Sequence, residues 1–477
     1  PIYPGRGRLL IGTEVEAIAP SAIADDLSGM LPRVLSADEV GQLVQGFAAA
    51  ARRLRDLGFA GVEVSAGHGH LIHQFLAARS NRRRDRYGGD IEGRARFLTD
   101  LCLALRAACG AGFVIGVKLP GEDAMPQGVD LDTAAAITRC VHATGVVDYL
   151  TWCWGGHSRS LHLHLPTVDE AAPDDGLPPY ARKIAALARH APGIKVAALG
   201  LIRTPAKAER LLRQGLADFV QVGRPFIADA DWGRHAAQRT APRPCIACNQ
   251  CWGRIARGEA LGCTVNAALG TGREPGEPAP LSSSPGARRV AVVGAGPAGV
   301  AAACAAAERG ASVTLFGVGD RPLRRLRAAA TLPGAAALAE LADHLEQRAA
   351  RAGVEYRGGR MAGAAELLAV RPDEAVLACG AEPALRERWP QVLAEADREW
   401  TLIDEVGDAF APALAVHAAK AGHRVTLVTT HAGLAAAEPL VERQRWTERC
   451  AAASVALCAA APAGGGGAVS LIGMPRP

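Results

Sequence analysis

GVEVSAGHGHLIHQFLAARSNRRRDRYGGD, residues 61–90, opens with a short β-branched run, turns through glycine and continues into an apolar helical stretch. A strand handed over to a helix in this way is one βα unit of a parallel sheet. Four further runs follow: FVIGVKL at 113–119, VVDYL at 146–150, IKVAAL at 194–199 and DFVQVG at 218–223. Thr204 is a plausible N-cap for the helix before the last run, and Pro205 fits its first position. Residues 1 to about 240 therefore read as repeated βα units with five legible strands. The chain starts at Pro1 in what already reads as the middle of a fold, so earlier strands are expected to be missing.

A length of 477 residues exceeds one ordinary core and suggests two domains. Hydrophobic residues at 49% with charged residues at 21% describe a soluble globular chain, and no apolar stretch is long enough to span a bilayer. The net charge of +5 is small, and the arginines are scattered, which argues against nucleic-acid binding. Twelve cysteines in a long chain with no signal peptide read as reduced thiols or metal ligands, and a cytoplasmic location follows.

CIACNQCWGRIARGEALGC sets Cys245, Cys248 and Cys251 at CxxCxxC spacing, with Cys263 after eleven intervening residues. Three thiolates in one loop and a fourth beyond it suit the corners of a [4Fe–4S] cube. Structural zinc is the rival, although all-cysteine zinc sites usually come as two separated CxxC knuckles. The remaining cysteines, Cys102, Cys109, Cys140, Cys153, Cys304, Cys379, Cys450 and Cys458, sit singly in apolar surroundings and are expected to be core residues.

Residues 270–289 are rich in Pro, Gly and Ser and read as a linker. Beyond it, VAVVGAGPAGVAAA places Gly294, Gly296 and Gly299 between a strand and an Ala-rich helix, the context of a pyrophosphate-binding turn. The acid that commonly ends the second strand is missing, for VTLF is followed by Gly317, and Asp320 is the nearest carboxylate. A second strand–turn–helix–strand unit runs from TLIDEV at 401–406 to HRVTLVT at 423–429, without the glycines a nicotinamide dinucleotide would need. The organisation expected is a partial barrel at 1–240, an iron–sulfur segment at 241–269, the linker, and a Rossmann-like domain at 290–477, incomplete at its C-terminus.

The segment at 61–90 resembles the signature after the fourth barrel strand of the NADH:flavin oxidoreductase, or old yellow enzyme, family. APSAI at 19–23, GVKLPGED at 116–123, ALGLIRTPAKAERLL at 198–212 and ADFVQVGRPFIADADW at 217–232 resemble the same family in the same order. With CIACNQC next, the likeness is to the multidomain branch that includes 2,4-dienoyl-CoA reductase and trimethylamine dehydrogenase. The short cysteine motif and the CTVNAALG that ends it lean toward the amine-dehydrogenase side.

The resemblance implies an FMN-binding (β/α)8 barrel followed by a Rossmann-like domain for FAD or ADP. In the family, positions matching Ser65 and His68 hydrogen-bond the substrate or an oxygen beside the flavin, and the position of His70 usually holds a proton-delivering tyrosine. Histidine can also act as a general acid near neutral pH. Lys118 matches a basic position facing the flavin N1–C2 oxygen region, with a salt bridge as its structural alternative. Gly200, Gly223 and Arg224 match the FMN-phosphate loops. Trp152 and Trp154 wall a substrate pocket or fill space, His73 packs or bonds on the helix surface, and NRRRDRYGGD shapes the barrel rim. Three functions stay open: an NAD(P)H-dependent reductase of activated alkenes, an amine dehydrogenase or demethylase passing electrons to a protein acceptor, and an inactive remnant or fragment. A small-molecule substrate and a possible homo-oligomer are compatible with each.

Overall fold

A computed structural model describes residues 16–24, 29–156, 160–167, 177–270, 288–379, 389, 399–404, 406–429, 431, 433–459 and 468–470. Most of the expected linker, the end of VLACGAEP and most of the C-terminal Ala/Gly tail lie outside them. The chain falls into two compact units, residues 1–166 with 170–223, and residues 224–477 with 167–169.

In the first unit a short parallel pair, β1 (Ile18–Ala19) and β2 (Arg33–Val34), precedes α1 (Ala37–Asp56), which Ser36 and Glu39 close with a capping box. Five parallel strands then pair strictly in chain order: β3 (Gly61–Ser65), β4 (Val114–Glu122), β5 (Tyr149–Trp154), β6 (Lys195–Ala198) and β7 (Phe219–Val220). Between them run α2 (Leu71–Leu76), α3 (Ile91–Cys109), α4 (Leu131–His142), α5 (Leu161–His164), α6 (Ala181–Ala188) and α7 (Pro205–Arg213). Consecutive parallel strands joined by helices are the repeat of a (β/α)8 barrel. On β4, Ile115, Val117 and Leu119 are fully buried and alternate with Gly116 and Lys118, so one face meets helices and the other carries the polar chemistry. Thr204 accepts from the Lys207 amide and Pro205 occupies the first turn of α7.

Two strands differ from the sequence reading. β5 begins at Tyr149 and runs on through Trp154, because residues 146–148 are pinned outside the ladder. The Arg106 guanidinium bonds the Val146 carbonyl, and the Asp148 carboxylate takes both Arg106 and the Ile115 amide. β7 is only two residues long, its approach held by Asp218 on the Val196 amide.

The second unit begins with three short helices, α8 (Arg224–Ala228), α9 (Trp232–Gln238) and α10 (Gln250–Ala256). Next come β8 (Arg289–Val293), α11 (Pro297–Ala307), β9 (Ser312–Phe316), α12 (Arg324–Ala329), α13 (Ala337–Arg351), β10 (Glu355–Arg357), α14 (Ala364–Ala369) and β11 (Glu374–Leu377). These strands form a parallel sheet of order β10-β9-β8-β11. A second parallel sheet, β14-β13-β12-β15, is built from β12 (Glu399–Asp404), α15 (Phe410–Lys420), β13 (Arg424–Thr429), α16 (Leu440–Ala452), β14 (Ala456–Ala459) and β15 (Ala468–Ser470). Each sheet has its own apolar core, one around Val292 and Leu315, the other around Leu402, Leu414 and Leu427.

The three glycines after β8 divide by what surrounds them. Gly294 has φ +108 and lies against the Ala378 carbonyl, while a Cβ on Gly299 would overlap the Gly294 carbonyl oxygen. Nothing lies within 4 Å of a Cβ built on Gly296, which stands open at the head of α11. Gly299→Ala should therefore destabilise the second unit by about 1–3 kcal/mol through forced displacement of the turn. Gly296→Ser, which meets nothing and adds a capping hydroxyl, should leave stability unchanged or slightly higher. Denaturant titration of both variants checks the contrast; equal losses would contradict it.

Candidate functional site

Past the end of β3 the chain crosses directly over β5. Gly67 makes the crossing possible, since a Cβ there would overlap Cys153 Sγ. His68 follows in the left-handed region, φ 58, and its backbone bridges to Gly156. His70 sits at the N-cap of α2 in extended backbone. Ser65 is exposed and stands beside Lys118 in register. The His68 and His70 rings lie 6.4 Å apart, edge to face.

A third histidine joins them that the sequence reading missed. The His164 ring lies 3.8 Å from that of His68. Gly155, at φ 60, packs against the Ser160 carbonyl where no side chain fits, and Ser160 Oγ accepts from the Gly156 amide. This glycine pair lets α5 fold back onto the His68 loop.

The peptide between His68 and His70 is clamped from below. His73 Nδ1 accepts from the Gly69 amide at 2.8 Å, and Gln74 donates to the Gly69 carbonyl at 2.7 Å. Because Nδ1 accepts, the ring proton resides on Nε2, which donates to Asp123 Oδ2 at 3.1 Å. The Val129 amide donates to the same oxygen. His73 is 3% exposed, which selects packing over the helix-surface alternative, and its bonds hold the loop. Burial pushes the Asp123 carboxyl up, but the His73 imidazole, the Val129 amide and the Arg79 charge outweigh it and leave the group below its ordinary value.

Lys118 is engaged in an ion pair, 2.6 Å from Glu63 Oε1. The other Glu63 oxygen accepts from the Tyr149 hydroxyl at 3.0 Å and from Gln221. Tyr149 reaches Glu63 by crossing above Gly116, where a Cβ would overlap its ring. Burial and the Glu63 charge push the Tyr149 hydroxyl pKa up, so it stays a donor. Gly200, at φ +105, packs on Tyr180, whose ring stacks on Trp154 at 4.5 Å. Gly223 is exposed, with open space where a side chain would be. Trp152 is fully buried and donates to Thr138 of α4, so it is core filling rather than a pocket wall. In the rim segment, Asn81 bonds the Phe75 and Tyr87 carbonyls and the Arg82 amide bonds Ser21, ties that shape the loop.

In the second unit all four motif cysteines, Cys245, Cys248, Cys251 and Cys263, line one pocket together with Arg224, Asn249 and Thr264. Cys248 Sγ lies 3.3 Å from the Thr264 hydroxyl. The Arg224 guanidinium forms part of this pocket and donates to Asn249 Oδ1 at 2.5 Å. Burial lowers its pKa, opposed by Cys245 and Cys251. Among the described residues, no three His, Cys, Asp or Glu side chains converge on a position for a single metal ion. Of the other cysteines, Cys102, Cys109, Cys153, Cys304 and Cys450 are buried as expected, Cys140 is half-buried, and Cys379 and Cys458 are exposed. Among the described residues, Cys458 lies on the outermost strand β14 and Cys379 just beyond the outermost strand β11. No helix among the described residues is long and apolar enough to cross a membrane.

Residues 12–242 match the NADH:flavin oxidoreductase / NADH oxidase family, and residues 288–409 the pyridine nucleotide-disulphide oxidoreductase family. Residues 12–242 are an NADH:flavin oxidoreductase family domain. An NADH oxidase of Thermoanaerobacter brockii is 34% identical over 402 residues, 83% of this chain and 59% of the relative. An N,N-dimethylglycine/sarcosine dehydrogenase of Chromohalobacter salexigens is 32% identical over 434 residues, 89% of this chain and 61% of the relative. The chain thus spans less than two thirds of these family members. A solved 2-naphthoyl-CoA reductase superposes with a TM-score of 0.84 at 23% identity, over 93% of this chain and 68% of that one, which shows the fold. The chain is therefore a TIM-barrel domain followed by a Rossmann-like domain.

Replacing Asp123 by Ala strands the His73 Nε2–H and the Val129 amide, at about 1–3 kcal/mol for each buried donor left unmet. The Asp123 contribution is complete above its ordinary value of 3.8 and fades as pH falls through the depressed folded-state pKa. Stability of wild type and Asp123→Ala should accordingly converge below about pH 4; a gap that stays constant from pH 7 to pH 3 would remove Asp123 from this role.

Proposed function

We propose that this chain is an FMN-dependent oxidoreductase that exchanges a hydride with a small organic substrate at the His68–His70 loop. Electrons pass onward through a [4Fe–4S] cluster held by Cys245, Cys248, Cys251 and Cys263. The observation that carries this reading is the single pocket that gathers all four cysteines in a chain with a flavin oxidoreductase barrel. The CxxCxxC spacing with a fourth cysteine beyond it favours a four-iron cluster over zinc, whose all-cysteine sites usually come as two separated knuckles. Bound FMN supplies a hydride-exchanging ring, and the cluster supplies one-electron transfer.

The chain's own residues then have distinct duties. His70 holds the proton gained or lost at the substrate atom beside the hydride position. His68, with His164 against it, donates a hydrogen bond to a substrate oxygen, and Ser65 adds a hydroxyl at the same strand end. Gly200 and Gly223 leave backbone accessible to a phosphate, while Lys118 shares its charge with Glu63. Arg224 places positive charge beside Cys245 and Cys251, which favours the reduced form of whatever they bind. Gly294, Gly296 and Gly299 suit the diphosphate of FAD or ADP, Gly296 being the point left open for approach.

The preferred substrate class is an activated alkene, reduced at the expense of NAD(P)H. Oxidation of a C–N bond with electron transfer to a protein acceptor is the second reading, favoured by the 32% identity to a dimethylglycine/sarcosine dehydrogenase. Anaerobic titration of purified protein with NADH, then an enone, and separately with a secondary or tertiary amine, distinguishes them through flavin absorbance. Bleaching by NADH and recovery with the enone is the expected outcome. Bleaching by the amine alone selects the second reading, and protein lacking both flavin and iron refutes the proposal. His70→Ala should lower the chemical step by about 10²–10⁴-fold, while substrate binding, read by spectral perturbation, changes little.

A further inference from the structure

The turn from β12 into α15 is the place where a dinucleotide-binding βαβ unit holds its diphosphate on backbone N–H groups. Here those groups already have acceptors from the chain itself. Asp404 Oδ1 accepts from the Val406 and Gly407 amides at 3.2 and 2.8 Å, and Asp408 Oδ1 from the Phe410 amide at 3.0 Å. Glu438 Oε1 accepts from the Ala409 amide at 3.1 Å. Three carboxylates stand where a diphosphate would place its charge, so an incoming anion would meet both occupied donors and like charge.

Glu438 does more than close the turn. Its second oxygen accepts from Gln250 Nε2 at 3.0 Å. Four residues on, Glu442 Oε1 accepts from Asn249 Nδ2 at 2.7 Å and pairs with the buried Arg445 at 2.5 Å. Asn249 and Gln250 are the two residues between Cys248 and Cys251. Asn249 is 1% exposed, takes the left-handed φ of 59 that asparagine tolerates, and accepts from Arg224. Gly253 on α10 packs so closely on Pro439 that a Cβ would come within 2.8 Å of its ring.

We propose that the β12–β15 half has exchanged dinucleotide binding for a positioning duty: Glu438 and Glu442 grip Gln250 and Asn249, hold the cysteine loop in shape, and through Asn249 set Arg224 against Cys245 and Cys251. The duty toward iron rests on the cluster reading above; the closed turn and the grip on the loop do not. The two are separable by experiment on the full chain. Iron and sulfide content of the wild type tests the cluster reading alone. Maleimide labelling of the motif cysteines in metal-free protein, located by mass spectrometry, tests the grip. Asn249→Gly and Gln250→Ala, which keep the backbone conformation, should each speed labelling by about tenfold, the lower end of what loss of a supporting contact costs a ligand shell, in variants that still unfold cooperatively. Labelling at the wild-type rate would overturn the proposal. Should a variant fail to fold, equilibrium dialysis of wild-type protein with ADP decides: one site per chain or none supports a closed β12–α15 turn, and two sites overturn it.

Discussion

Every parallel strand that runs into a helix leaves backbone N–H groups pointing out of its carboxyl end, and each of them needs an acceptor. Three turns in this chain meet that need in three ways. At Gly69 the acceptor is a buried imidazole, itself fixed by Asp123, and the peptide between two candidate catalytic histidines becomes rigid. After β8 the turn closes through glycine packing and leaves Gly296 facing open space. After β12, Asp404, Asp408 and Glu438 fill the donors with protein carboxylates. One shared constraint thus yields a rigid loop, an open turn and a closed one.

The polar groups of the barrel unit show the same economy on the face that carries chemistry. Glu63 collects Lys118, Tyr149 and Gln221 onto one carboxylate, joining β3, β4, β5 and the segment after β7. Such a network holds its members in fixed rotamers, at the expense of leaving Lys118 only part of its charge for another anion. The histidines sit nearer the strand ends, beyond this network, on a loop whose backbone is fixed by the close approach at Gly67 and the clamp on Gly69.

Much of this was legible in the sequence, for reasons particular to the residues. Strands β3, β4 and β6 announce themselves by β-branched runs, the cysteine motif by spacing, and the turn after β8 by its glycines, of which Gly294 and Gly299 leave no room for a side chain. The start of β5 was misplaced because Arg106 and Asp148, 42 residues apart in sequence, hold residues 146–148 out of the ladder. His164 went unseen since its neighbour His68 is reached only after the chain has closed through Gly155 and Gly156. Arg224 was matched to a phosphate loop by family resemblance, and its bond to Asn249, which takes a left-handed backbone, is not visible in any periodicity. The expectation that lone cysteines are core residues failed at Cys379 and Cys458, which lie on or just beyond the outermost strands among the described residues.

Because the residues inside the CxxC spacing are bonded to side chains nearly two hundred positions downstream, the cysteine loop and α16 are one inherited piece. Recombination that joins the front of one homologue to the back of another would separate Asn249 from Glu442 wherever the crossover falls between them, and a graft that keeps every cysteine could still lose the loop's shape. Crossovers before Arg224 spare the whole assembly, which makes the boundary at Gly223 the natural seam for building chimaeras.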